Sequence, residues 1–149
     1  MGKARHKAVI IGLTGIGSNR PEEPVGLPVY GAMPTSHASG YHRCPDTDLV
    51  AVCDLQEKLL SDFRIRWSDV WPDVRPYKDY REMLDKEQPD IVSVVTGDHL
   101  HADLVVESAQ RGSTKAIICE KPIATTLEDA DRMIEATERE GVLLSIEHS

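Results

Sequence analysis

The sequence predicts an α/β fold: a doubly wound parallel sheet in a single domain, with a Pro-rich insertion after the first strand. Three observations carry this. The run Ala8-Val-Ile-Ile11 is apolar at every position, as in a strand buried on both faces, and it leads directly into Gly12, Gly15 and Gly17. Further short apolar runs follow at Leu49–Asp54, Asp90–Thr96 and Lys115–Glu120, several of them ending in an acid or a hydroxyl. Between them lie stretches with helical spacing and short joints, and strands alternating with helices close into a parallel sheet.

The 149 residues suit about one domain with a real core. No apolar run approaches the ~20 residues of a membrane span. The N-terminal Met1–Lys7 is basic but lacks the apolar centre of a signal peptide, so the expectation is a cytoplasmic protein with no membrane partner. A net charge of −8 argues against nucleic acid, whose phosphates are met by an excess of Lys and Arg. Cys44, Cys53 and Cys119 are odd in number and far apart, which favours core thiols over a disulfide or zinc site.

Along the chain, the glycine turn comes first. Only glycine allows a turn this tight with backbone close enough to touch a phosphate, although the spacing here is G-x-x-G-x-G instead of G-x-G-x-x-G. Positions 18–34 hold Pro21, Pro24, Pro28 and Pro34 with Gly26 and Gly31, so neither helix nor central strand persists there. The expectation is a lid or contact element, with a delayed first helix over His37–Arg43 capped by Thr35 or Ser36. The second strand ends at Asp54. A carboxylate at that tip accepts both hydroxyls of an adenosine ribose and repels a 2′-phosphate, which favours NAD over NADP. It can equally cap the helix that starts near Gln56, and the two roles are compatible.

Leucines and Phe63 recur at helical intervals from Leu55 to Trp67, and Trp67 and Trp71 are best explained by core packing. Val74–Lys78 is an edge-like strand because Pro76 cannot serve a central ladder. A helix over Tyr80–Glu87 stops at Pro89. The fourth strand exits through Thr96-Gly-Asp-His-Leu-His101, ahead of a helix over Ala102–Arg111. Asp98, His99 and His101 are close in sequence, but histidines two apart at a helix start do not aim at one ion, so no metal is expected. Loops leaving the carboxyl ends of strands are where an open α/β sheet holds its ligand, so a cofactor-side role is expected instead. The fifth strand delivers Glu120-Lys121-Pro122 at its carboxyl end. A lysine there can stand over a nicotinamide ribose or donate to a substrate oxygen; otherwise Glu120 and Lys121 are a surface pair. Thr125-Thr-Leu-Glu128 has the form of a capping box for a helix that ends at Gly141, and Val142–Glu147 reads as a sixth strand.

In this order, Val9–Gly17, His37-Ala38, Leu49–Asp54, Asp90–Thr96 with His101, and above all Glu120-Lys-Pro122 resemble the Gfo/Idh/MocA oxidoreductases, the glucose–fructose oxidoreductase and inositol dehydrogenase-like family. The resemblance covers nearly the whole chain and implies the N-terminal NAD(P)-binding Rossmann domain, 1–149, with the C-terminal substrate domain absent. It implies hydride transfer between nicotinamide and a sugar, cyclitol or related polyol. Cofactor contacts are expected from Gly12, Thr14, Gly15, Gly17, Gly31, His37, Asp54, Thr96, Gly97, His101, Glu120 and Lys121, with Lys121 also the catalytic residue. Homo-oligomers are common in such enzymes.

The chain departs from the family pattern in places. The second glycine falls on Thr14, or on Gly31 when the insertion is placed inside the motif, and Pro34 then takes the third glycine's place. Thr96-Gly97-Asp98 stands where the family has Thr-Pro-Asn, which adds a negative charge and removes a proline. Two alternatives to a dehydrogenase domain follow: a non-catalytic NAD-sensing or assembly module, and a degenerate Rossmann domain that no longer binds cofactor.

Overall fold

A computed structural model describes residues 5–21 and 34–148. Its centre is β1 (His6–Ile11), an apolar strand with neighbours on both sides. The other strands are β2 (Thr47–Cys53), β3 (Arg75–Tyr77), β4 (Ile91–Val94), β5 (Ala116–Glu120) and β6 (Leu143–Glu147). They pair in the order β3-β2-β1-β4-β5-β6, and every pairing is parallel. This is the doubly wound order, in which the chain reverses direction across the sheet between β1 and β4.

Alternation along each strand divides the core in two. Val9, Ile11, Val92, Val94, Ile117 and Cys119 point to one face, where α4 (Tyr80–Glu87), α5 (His101–Gln110) and α6 (Leu127–Glu140) cover them. Ala8, Ile10, Leu49 and Val52 point to the other, beneath α2 (His37–Arg43) and α3 (Glu57–Arg66). There Phe63 and Trp67 are fully buried, and Trp71 packs on Trp67 with ring centres 5.0 Å apart. Core packing is therefore the role of both tryptophans. Among the described residues no helix covers this second face beyond β4: Leu143 is 65 % exposed, and Ser145 and Glu147 of the same strand are exposed with it.

Three expectations need correction. A helix does start directly after the glycine turn: α1 (Gly15–Ser18) is a single turn, stopped once its C-cap Asn19 leaves helical geometry ahead of Pro21. The capping box expected at Thr125-Thr-Leu-Glu128 does not form: the N-cap of α6 is Thr126, one residue later, in extended conformation with its hydroxyl accepting from the Asp129 N–H. Cys44 is exposed and so is not a core thiol, whereas Cys53 and Cys119 are buried. Ser36 is the cap of α2, in a reciprocal box with Ser39. The edge position of β3, with Pro76 in it, is as expected. Most of the 18–34 insertion, Gly31 included, lies outside the described residues.

Candidate functional site

Parallel pairing sends the carboxyl ends of all six strands to one edge of the sheet. Gly12 ends β1, Asp54 ends β2, Thr96 follows β4, and Glu120 and Lys121 close β5. The reversal point between β1 and β4 lies in the middle of that edge, where open α/β sheets leave a crevice for a ligand.

The glycine turn is built by close approach. Gly12 has φ +98°, and a Cβ there would fall 2.2 Å from the Val95 carbonyl oxygen, so both conformation and space require glycine. A Cβ on Gly17 would fall 2.3 Å from the Gly12 carbonyl oxygen, so α1 seats directly on the turn only because residue 17 lacks a side chain. Gly15 is different, since its Cβ would make only an ordinary contact with Asn19. Thr14 is the N-cap of α1, and its side chain makes no capping bond. The first N–H groups of this turn have no intrahelical acceptor and point away from it.

Asp54 fixes the turn to the second strand. One carboxylate oxygen accepts from the Leu13 N–H at 2.9 Å and the other from the Gln56 N–H, also at 2.9 Å. The helix-capping role foreseen for this residue is not what forms: Gln56 is the N-cap of α3, with no side-chain capping bond, and Asp54 holds the Gln56 N–H in the turn ahead of the helix. Each oxygen keeps a second lone pair for another donor.

Behind the edge lies a buried polar chain. The His37 Nε2 stands 3.0 Å from Glu120 Oε1, its Nδ1 2.9 Å from Ser93 Oγ, and Ser93 Oγ 2.7 Å from the Tyr41 hydroxyl. Burial pushes the Tyr41 phenol up to about 12, outweighing the lowering effect of its hydrogen bond with Ser93, while Cys44 raises it slightly. The phenol therefore keeps its proton and can donate to Ser93; with that direction, Ser93 donates to Nδ1 and Nε2–H donates to Glu120, so every atom is paired. This chain flanks a cavity of about 620 Å³ between α2 and the uncovered part of the sheet, where Ile118, Ile91 and Ile16 supply apolar walls.

His101 starts α5, is 1 % exposed, and spans two loops. Its Nδ1 lies 2.9 Å from the Pro122 carbonyl oxygen and its Nε2 3.1 Å from that of Thr96. The Lys121–Pro122 peptide is cis. Lys121 itself is exposed and makes no hydrogen bond or ion pair among the described residues. A Cβ on Gly97 would fall 2.9 Å from the His99 ring, so the glycine at the family's proline position lets that ring fold over the loop. Burial pushes the thiols of Cys53 and Cys119 up to about 12, helped by Asp54 and Asp79 for Cys53 and by Glu120 for Cys119, which leaves both protonated and inert as nucleophiles. Among the described residues no group of three metal-binding side chains occurs.

The expected residues Gly12, Asp54, Thr96, Gly97, Glu120 and Lys121 thus share one edge, while His37 and His101 reach it from helix starts. Sequence reasoning passed over Ser93 and Tyr41. A serine inside the apolar strand Ile91-Val-Ser-Val94 was the available signal, because a buried hydroxyl needs a partner. The Leu13 N–H contact carried no side-chain signal.

Comparison with known proteins agrees with this architecture. Residues 25–148 match the family model GFO_IDH_MocA, an oxidoreductase family with an NAD-binding Rossmann fold. The chain is 31% identical over 120 residues to the myo-inositol 2-dehydrogenase of Thermotoga maritima, covering 80% of this chain and 34% of that protein. It is 34% identical over 116 residues to the D-apiose dehydrogenase of Paraburkholderia graminis, covering 78% and 29%. The chain thus spans about a third of the length of the curated relatives it matches. Among solved structures it is similar to a probable dehydrogenase from Thermotoga maritima, with a TM-score of 0.72 and 29% identity over 94% of this chain and 35% of that one. The same fold occurs in the WlbA dehydrogenase of Bordetella pertussis, in complex with NADH and UDP-GlcNAcA, with a TM-score of 0.72 and 22% identity over 96% of this chain and 37% of that one.

Proposed function

This chain belongs to the Gfo/Idh/MocA family of oxidoreductases as an NAD-binding Rossmann domain, and we propose that it is the cofactor half of a dehydrogenase acting on a sugar, cyclitol or related polyol. The single observation that carries the site assignment is the Asp54 carboxylate, pinned beside the glycine turn by the Leu13 N–H with lone pairs to spare. Two ribose hydroxyls match those lone pairs, and a 2′-phosphate meets a fixed negative charge. The N–H groups at Thr14, Gly15 and Ile16 would hold the pyrophosphate on the floor that Gly12 and Gly17 make. His37, Thr96, Gly97, Glu120 and Lys121 would form the nicotinamide end, with His101 packed beneath it between the Thr96 and Pro122 carbonyls, and Gly31 stays a further candidate for the pyrophosphate.

Bound there, the cofactor supplies or accepts the hydride exchanged with a substrate carbon. Lys121 would donate to the substrate oxygen and hold the nicotinamide side, with its exposed ammonium not engaged by another described residue. The polyol class is supported by the relatives named as inositol and apiose dehydrogenases. Their greater length supports a further substrate-bearing domain in the whole protein. The free thiols of Cys53 and Cys119 accord with a reducing compartment such as the cytoplasm.

Calorimetric titration with NADH and NADPH tests this reading. NADH is expected to bind more tightly, by at least about tenfold, the worth of a charge-assisted hydrogen bond pair. Equal affinity for the two would remove the ribose role from Asp54. Failure to bind either would overturn the cofactor assignment and leave the degenerate Rossmann domain as the better description. NADH binding that proves unlinked to polyol oxidation in the whole protein would favour the NAD-sensing module.

A further inference from the structure

We propose that His101 is a positioning residue for Lys121, acting through the carbonyls at either end of its ring instead of touching the cofactor. The inference rests on the reading of Lys121 given above. Lys121 has no partner of its own among the described residues, so its backbone fixes where its ammonium can reach. The residue that follows it, Pro122, has no N–H and cannot be tied down by donating. Its carbonyl oxygen is held instead by the His101 ring, at 2.9 Å from Nδ1. The other ring nitrogen faces the Thr96 carbonyl at 3.1 Å, on the loop that leaves β4. A neutral ring donates to one of these oxygens at a time and a doubly protonated ring to both. In either state the ring, 1 % exposed, is a spacer that sets the gap between the exit loops of two neighbouring strands. Both loops flank the crevice where the nicotinamide end is assigned. Because the imidazole is spent on these two carbonyls and is nearly inaccessible, it has no face left for a ligand.

A double-mutant cycle on this chain, read by NADH affinity, separates positioning from plain core support. Lys121→Ala is expected to weaken NADH binding by at least about tenfold, the worth of one hydrogen bond to a charged donor. His101→Ala is expected to weaken it by a similar factor in the native background and to have no further effect once Lys121 is alanine. The conservative variants add a geometric readout. Asn places its amide nitrogen where Nδ1 stood and keeps the Pro122 contact, whereas Gln places it where Nε2 stood and keeps only the Thr96 contact. His101→Asn should therefore retain more of the native affinity than His101→Gln, and circular dichroism should show all of these variants folded. Additive losses from His101→Ala and Lys121→Ala, or equal affinities for the Asn and Gln variants, would overturn the proposal while leaving the role of Lys121 intact. Native NADH affinity in Lys121→Ala would overturn the role of Lys121 and this inference together.

Discussion

At the scale of single residues, two carboxylates do opposite kinds of work. Asp54 is exposed enough to meet a ligand, yet both its oxygens already accept from backbone N–H groups. Its replacements should therefore separate two effects. Asp54→Asn keeps one acceptor and loses the charge, so the preference for NADH over NADPH should shrink while the turn stays in place. Asp54→Ala also frees the Leu13 N–H, so affinity for both cofactors should fall, by a factor of about ten beyond the Asn variant. Parallel titrations of the two variants read this directly. Glu87 is structural. The Arg75 guanidinium beside it, and then the Tyr77 hydroxyl, hold its carboxyl below its ordinary value of 4.5 against the opposing effect of burial. A depressed carboxyl stabilises the fold above the unfolded value and loses that contribution as pH falls through the folded one. Urea midpoints should therefore drop as pH falls below about 4.5, and Glu87→Gln should flatten that part of the profile. Because Arg75 is half exposed, the cost of Glu87→Gln at neutral pH should lie near the lower end of about 1–3 kcal/mol.

At the scale of elements, ends decide more than middles. The helix α6 opens on Thr126, whose hydroxyl accepts from the Asp129 N–H, and closes on Gly141 at φ +67°. Thr126→Ala should cost about 1 kcal/mol through the freed N–H groups of the first turn, whereas Thr125→Ala should change stability by less than about 0.5 kcal/mol. Comparing the two by thermal unfolding distinguishes the structural cap from its sequence lookalike. Gly141→Ala should cost about 1–2 kcal/mol, since a side chain at positive φ meets the following carbonyl. The single turn α1 has no apolar stripe long enough to hold itself. It is held from outside: the Trp67 indole N–H donates to the Ser18 carbonyl at 2.9 Å, and the Ser18 hydroxyl donates to the Leu13 carbonyl at 2.8 Å. The glycine turn thus depends on α3, an element that begins far along the chain.

At the scale of the molecule, the sheet separates two cores that share only its strands. Phe63 is fully buried on one face and Met133 on the other, in different clusters. Phe63→Ala should cost about 3–5 kcal/mol and Met133→Ala about 2–5 kcal/mol. With the sheet between them, the double variant should lose the sum to within about 0.5 kcal/mol in chemical denaturation. A coupling well beyond that would mean the two cores are not independent. The winding also explains the uncovered sheet. Helices that follow β1 and β2 cover one face near β1–β3, and those that follow β3, β4 and β5 cover the opposite one, so among the described residues no helix packs on Leu143 and Ile118 faces the cavity beside α2.

The sequence by itself determined the strand–helix rhythm, the parallel sheet, the edge position of β3 and the family, because period, glycine placement and proline placement act locally along the chain. It also located Asp54 and the Glu120-Lys-Pro122 exit, since residues at the carboxyl ends of parallel strands must share an edge. Local signals did not determine which threonine caps α6, that a one-turn helix survives ahead of Pro21, or that Cys44 is exposed. Only the tertiary structure decided those, through the conformation of each cap and through donors such as Trp67 that come from elsewhere. The same holds for the partners of the site residues. Ser93 joins His37 and Tyr41, the Asp54 carboxylate meets the Leu13 N–H, and the His101 ring reaches both Thr96 and Pro122. A side chain's identity fixes what it can donate or accept, but which atom it meets is set by packing between segments that are distant along the chain.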